Sequence, residues 1–193
     1  MMRNPVDHDV QNVFRKRWSP YAYDPDRDVS SEQLKSLFEA ARWAMSSFNA
    51  QPWRYIVGVR GRSDDIWKGV YETLVDGNRE WARNAPVLAL GLAELNYEHN
   101  GKPNRHAAHD LGAASASLAL EAAARGLAVH QMGGFSVDRA RELFDLPDGV
   151  EPYTAMAIGY PAERGTGEGE LEKRDSKPRQ RKALNELVIR GGF

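Results

Sequence analysis

The chain has 193 residues, enough for one domain with a full core and short for two. It is 41% hydrophobic and 27% charged with a net charge of -1, an ordinary globular composition with no global pull toward nucleic acid or an anionic membrane. The absence of cysteine excludes disulfides, thiolate metal sites, iron–sulfur clusters and cysteine nucleophiles, and fits a cytoplasmic location.

Residues 1–14, MMRNPVDHDVQNVF, have no apolar core, so no signal peptide is expected there. A first helix should end near Arg17 in KRWS. Residues 30–45 give the clearest helix. Ser30 and Gln33 have capping-box spacing, Val29 and Leu34 can form a staple outside it, and Leu34, Leu37, Phe38, Ala41 and Met45 recur on one face. RYIVGVRG (54–61) reads as a strand. Residues 63–77 read as a second helix, capped by Ser63 or Asp64. Residues 85–95, APVLALGLAEL, are almost continuously apolar, which predicts a buried central strand. A polar loop (96–104) precedes the longest helical pattern (105–125), rich in alanine and stopped by Gly126. Small side chains there let another backbone come close, as in the middle of a fold or at a subunit interface. The least charged stretch, 111–120, is too short to span a bilayer. LAVHQMGGF should be a strand running into a glycine pair, SVDRARELFDL a helix with a Ser or Asp cap, and YTAMAIGYP a strand. Residues 162–182 are almost devoid of apolar side chains and read as a polar linker, with RGTGEGE a turn. The final ALNELVIRGGF is apolar again and should dock, on this chain or on a second subunit. The pattern predicts an α+β fold with a central sheet covered by helices on both faces.

Three groups of residues could carry chemistry. Arg17, Arg179 and Arg181 are candidates for an anion site; Arg179 and Arg181 alternate, so in an extended segment both point the same way. The residues alone leave this open against a solvated basic run. Gly133 and Gly134 lie at a strand end, where they serve a tight turn or the approach of backbone N–H groups to a flat ligand. Ser46, Ser47 and Asn49 in AMSSFNAQPWRY offer groups that both donate and accept, a mixture suited to a polar heterocycle. His106 and His109 with Asp110 could offer ligands from one helical face, but no second motif answers them, and a capped or interface histidine is the better reading. His130 reads as structural.

In order along the chain, KRWSPYAYDPD, AARWAMSSFNAQPWRY, GNREWARNAPVLALGL, HDLGAASASLALEAAARGLAVHQMGGF, AMAIGYPAE and PRQRKALNELV resemble the blocks of the FMN-dependent nitroreductase family. The resemblance implies a mostly antiparallel sheet flanked by helices in one domain spanning residues 1–193. It implies an intertwined homodimer in which residues 162–193 form an arm that wraps the partner. Arg17, Arg179 and Arg181 would then hold the FMN phosphate, with Trp18 and Ser19 nearby. Met45, Ser46, Ser47 and Asn49 would come from the other subunit. Asn78 would reach the pyrimidine edge, Gln131 and Met132 would lie against the ring, and the N–H groups of Gly133 and Gly134 would point at flavin N5 and O4. NADH or NADPH would be the transient electron donor, and a nitro-aromatic, quinone or similar small molecule the acceptor, in ping-pong turnover at flavin N5 with no protein acid or base required. The chain departs from the family pattern where many members carry lysines near the flavin N1–C2 edge: the matching positions here are Tyr21 and Trp81. Arg54 and Arg83 are candidate replacement cations. The departure keeps two alternatives in view, a flavin-binding or regulatory protein with weak turnover and a variant with other flavin chemistry such as dehalogenation. Neither a nucleic-acid nor a membrane partner is expected.

Overall fold

The apolar run at 85–95 forms β2 (Val87–Glu94), and every residue of it except Glu94 is buried. Around it the computed structural model, which describes residues 4–163 and 169–192, builds an α+β fold on one four-stranded sheet. The other strands are β1 (Trp53–Val59), β3 (Ala128–Met132) and β4 (Val150–Gly159). Their order is β1-β2-β4-β3, and every neighbouring pair is antiparallel.

Alternation along β2 divides the core in two. Val87, Ala89 and Ala93 face α2 (Ser31–Arg42) and α5 (Ala107–Ala124), meeting Leu37, Ala41, Leu111, Ala114 and Leu118. Leu88, Leu90 and Leu92 face the other way. They meet Val70 of α3 (Asp64–Thr73), Trp81 of α4 (Asp76–Ala82) and Ala140 of α6 (Val137–Phe144). A strand covered on both faces has no polar side to show, which is why its sequence is continuous rather than alternating.

Local signals set several boundaries. The Ser30 hydroxyl accepts from the Gln33 N–H at 3.1 Å and the Gln33 carboxamide oxygen accepts from the Ser30 N–H at 3.0 Å, completing the capping box of α2. Val29 and Leu34 are both buried, as a staple requires. Ser136 caps α6 by accepting from the Arg139 N–H. At the end of α5, Gly126 adopts φ 77°, and the Leu127 N–H donates back to the Ala122 carbonyl at 2.8 Å, a Schellman closure that only a residue tolerant of left-handed φ makes cheaply.

Other boundaries are tertiary. The helix expected over 63–77 breaks at Leu74 and Val75, both extended. Leu74 bridges to Phe135, and the Val75 N–H donates to the Gly134 carbonyl at 3.1 Å, so pairing with the chain after β3 overrides helical propensity and starts α4 as a separate helix. Ser63 stands at the start of α3, but its hydroxyl accepts from the Val59 N–H, while Asp64 accepts from the Gly61 N–H; they tie the β1–α3 turn instead of capping. The helix expected to reach residue 45 ends at Arg42, and Met45 is exposed.

The short α1 (Asn12–Lys16) delivers Arg17. The expected linker over 162–182 holds a docked helix, α7 (Glu170–Ser176), followed by the short α8 (Leu184–Leu187). Of RGTGEGE (164–170), where a turn is expected, residues 164–168 lie outside the described part of the chain; Gly169 stands at the N-cap of α7 and Glu170 begins it. Among the described residues no helix is long and apolar enough to cross a membrane.

Two substitutions check this packing. Ser30→Ala removes one half of the capping box and is expected to cost about 1 kcal/mol, seen as a lower urea midpoint at unchanged slope. Gly58 has no room for a side chain, because a Cβ there would lie 2.2 Å from the Trp67 backbone nitrogen of α3. Gly58→Ala should therefore push α3 off β1 and cost about 1–3 kcal/mol; a variant as stable as the parent would show that this close approach is dispensable.

Candidate functional site

At the edge formed by β3, a cavity of about 540 Å³ opens between the segment after α1 and the chain from α7 onward. Trp18, Ser19, Arg179 and Arg181 line it. Arg17 reaches it through Ser19, whose hydroxyl accepts from the Arg17 guanidinium at 3.5 Å. Burial and the neighbouring Arg181 lower the Arg17 pKa from its ordinary value, and burial, Arg17 and Arg181 lower that of Arg179. Among the described residues none of the three makes an ion pair with a carboxylate. Guanidiniums stay charged at neutral pH, so their mutual repulsion and partial desolvation are relieved by an anion from outside. A phosphate fits that donor set.

The other wall is aromatic. Tyr21 and His130 line the cavity. Trp81 does not: it is fully buried in the core, stacked on His130 with ring centroids 4.4 Å apart and edge-on to Tyr21 at 5.3 Å. The departure from the lysine pattern is therefore two different things, a phenol at the cavity and an indole behind it. Arg174 of α7 lies over the Tyr21 ring at 3.7 Å. The Asp175 carboxylate accepts from the N–H groups of Tyr21 and Ala22 at 2.9 Å each. Sequence reasoning passed over Arg174 and Asp175 as part of a polar linker and set His130 aside as structural. The available signals were the even spacing of His130 with buried Ala128 and Met132 along β3, and the position of Arg174 just upstream of the paired arginines. Arg54 and Arg83 do not line the cavity: Arg54 is paired with Glu94 at 2.9 Å, and Arg83 is exposed beyond α4.

At the far end of β3, the Asn78 carboxamide donates to the Gly134 carbonyl at 3.0 Å. A Cβ on Gly134 would lie 2.7 Å from Asn78 Nδ2, whereas one on Gly133 would meet nothing within 4 Å. Neither glycine is in the left-handed region, so this pair is not a glycine-dependent tight turn. Gly134 is there for close packing, and Gly133 leaves backbone open on the exposed side. Gln131 and Met132 point to opposite faces of β3: Gln131 is exposed, while the Met132 side chain is buried in the core and is taken up there. The two side chains do not share one surface.

Met45, Ser46, Ser47 and Asn49 lie elsewhere, in the connection from α2 to β1. Part of their polarity serves the chain itself. The Ser46 hydroxyl accepts from the Gln51 N–H, the Ser47 hydroxyl bonds the Tyr97 hydroxyl at 3.2 Å, and the Ser47 N–H donates to Asp110 of α5 at 3.0 Å. Asp110, only 3% exposed, also takes His109 Nδ1 at 3.1 Å, so this histidine is held by a structural carboxylate. The loop is strained: Phe48, Asn49 and Gln51 have φ of 54°, 54° and 47° without being glycine, and Phe48 is 86% exposed. Asn49 lines a separate concavity with Phe48, Gln51 and Arg54, so a single chain does not bring this group to the arginines.

Comparison with known proteins gives these placements a context. The sequence profile of the Nitroreductase family matches residues 14–74 and 62–160. A 15.4 kDa protein of Mycolicibacterium smegmatis, encoded in the ask 5' region, is 37% identical over 144 residues, covering 72% of this chain and 95% of that one. The major NAD(P)H-flavin oxidoreductase of Aliivibrio fischeri is 27% identical, covering 97% of this chain and 99% of that one. Among solved structures, an oxidoreductase described as containing FMN superimposes with a TM-score of 0.88 at 34% identity, covering 99% of this chain and 96% of the other. A profile that runs from the end of α1 through β4, with a structural match along almost the whole chain, makes this protein a member of the nitroreductase family.

Proposed function

We propose that the protein is a homodimeric FMN-dependent oxidoreductase that takes electrons from NADH or NADPH and passes them to nitro-aromatic, quinone or related small acceptors in a ping-pong cycle. The observation that carries this reading is the cluster of Arg17, Arg179 and Arg181 around Ser19, with no carboxylate partner among the described residues. The printed names of its relatives, a flavin oxidoreductase and an FMN-containing oxidoreductase, support the identity of the anion's carrier.

When bound, FMN supplies reversible two-electron chemistry at its ring, and the chain's work is placement. The arginines and Ser19 hold the phosphate. At the end of β3, Asn78, packed on Gly134, gives a carboxamide and Gly133 gives open backbone for the ring's polar edge, with Gln131 on the same strand end. The Met45, Ser46, Ser47 and Asn49 loop completes the site from the second protomer. Its strained, outward-facing Phe48 and its distance from the arginine cavity both suit a surface that meets another chain. The apolar tip supports the same assembly, because Leu187 and Ile189 are exposed, Ile189 at 90%, as expected of a 162–193 arm that crosses to a partner. The lack of cysteine supports a cytoplasmic setting.

A second reading, a flavin-binding protein that turns over slowly, is favoured by the phenol of Tyr21 at a position where many family members carry an ammonium. Anaerobic addition of NADH or NADPH separates the two: rapid bleaching of the flavin band supports the reductase, and an unbleached yellow protein supports the binder.

The purified protein is expected to be yellow, to release FMN on denaturation, and to show a native mass twice its 21.6 kDa. A colourless monomer indifferent to added FMN would overturn the reading. Arg181→Ala removes charge-assisted hydrogen bonds of about 1.5–3 kcal/mol, so FMN should bind roughly tenfold to a hundredfold more weakly with the fold intact. Unchanged affinity by fluorescence titration would remove the phosphate role from Arg181.

A further inference from the structure

His130 is the only imidazole among the described residues lining the arginine cavity, and so the only group there whose ordinary titration lies near neutral pH. Its setting fixes which nitrogen can change. Nδ1 lies 2.7 Å from the Pro20 carbonyl oxygen, a pure acceptor, so Nδ1 carries a hydrogen and donates it in either charge state. Proton gain and loss are therefore confined to Nε2. The ring cannot turn away freely, because it is stacked on Trp81 and meets Tyr21 edge-on at 4.8 Å.

The charged and titratable groups facing it come from every neighbouring element. Tyr21 and Tyr23 belong to the segment after α1, with the Tyr23 hydroxyl spent on the Ala157 carbonyl. Asp175 and Arg174 come from α7, and Arg17 from the end of α1. Burial lowers the His130 pKa from its ordinary value; the Pro20 bond and Asp175 raise it, and Arg174 and Arg17 lower it further. The direction is downward, so the imidazole is neutral at and above neutral pH while nothing further negative enters the cavity. A new negative charge beside it acts in the opposite direction.

We propose that His130 takes up a proton at Nε2 when flavin bound in this cavity is reduced, and so provides the switchable cation that neither Tyr21 nor Trp81 can provide. The inference rests on FMN occupying the arginine cavity. NAD(P)H delivers two electrons and one proton to the flavin, leaving one added negative charge; a second proton comes from water to His130. Both protons leave with the electrons, or return to water, when the acceptor is reduced. His130 is on this account the residue that keeps the cavity electrically balanced through the cycle.

The test uses the FMN-loaded protein and begins with its visible spectrum. A chain that does not retain FMN, or retains it equally well as Arg181→Ala, overturns the cavity assignment and this inference with it. With FMN retained, the ring signals of His130 are titrated by NMR in the oxidised and the dithionite-reduced states. The expected result is a pKa higher in the reduced state by about one to three units. Equal values in the two states overturn the role of His130 while leaving the FMN site standing. Independently, the pH dependence of the flavin midpoint potential between about pH 7 and 8 counts protons taken up per electron pair, in the window where a raised histidine pKa is felt. More than one, rising toward two as the shift grows, is expected in the parent and one in His130→Gln, whose carboxamide can still donate to Pro20. The same count in both proteins would show that the second proton goes elsewhere.

Discussion

Burial of β2 on both faces is the constraint from which the rest follows. A strand with apolar side chains on each side needs a helical layer on each, and the two layers here differ in kind. On one face α2 and α5 lie against the sheet through leucine and alanine. On the other, α3, α4 and α6 bring larger groups, including Trp81. That second layer meets the segment after α1 at Tyr21 and Tyr23, and the cavity opens where the aromatic packing meets the edge strand β3. The site is thus the place where a core layer is left unfinished.

Charge arrangement decides what the unfinished place can hold. Burial and the nearby Arg181 depress the Arg17 pKa, and burial, Arg17 and Arg181 depress that of Arg179. Such a cluster is unfavourable in the isolated chain and becomes favourable around a doubly charged anion. The aromatic wall alongside also carries charge, with the Arg174 guanidinium over Tyr21 and the Asp175 carboxylate bound to two amides. Permanent charge and the titratable imidazole of His130 thus sit on separate residues within one cavity.

Much of this was readable from residue order, and the failures have physical causes. The capping box at Ser30, the buried run of β2 and the stop at Gly126 are local signals, and each holds. The break at Leu74 could not be read, because it is made by Phe135 and Gly134, far along the chain. Helix α7 was hidden by composition: its segment has few apolar residues, and Asp175 docks by hydrogen bonds to Tyr21 and Ala22 instead. The arginines were visible as residue types, but only the fold brings Arg17 to the pair near the C-terminus. His130 reads as structural, and it is packed in that way; its even spacing with Ala128 and Met132 marks which face of β3 it shares but not that its ring also meets a cavity.

The docked carboxylate of Asp175 bears on how the arginine end of the cavity is assembled. Arg179 and Arg181 follow it within a few residues, so the anchor shortens the tether on which they search. Closing a short loop loses less chain entropy than ordering a long free tail, and it raises the local concentration of the two guanidiniums near Arg17. An acidic side chain in a basic pocket thus acts as a moorage: by gripping two amide hydrogens on the opposite bank, it holds the cationic strand within reach before any cofactor arrives.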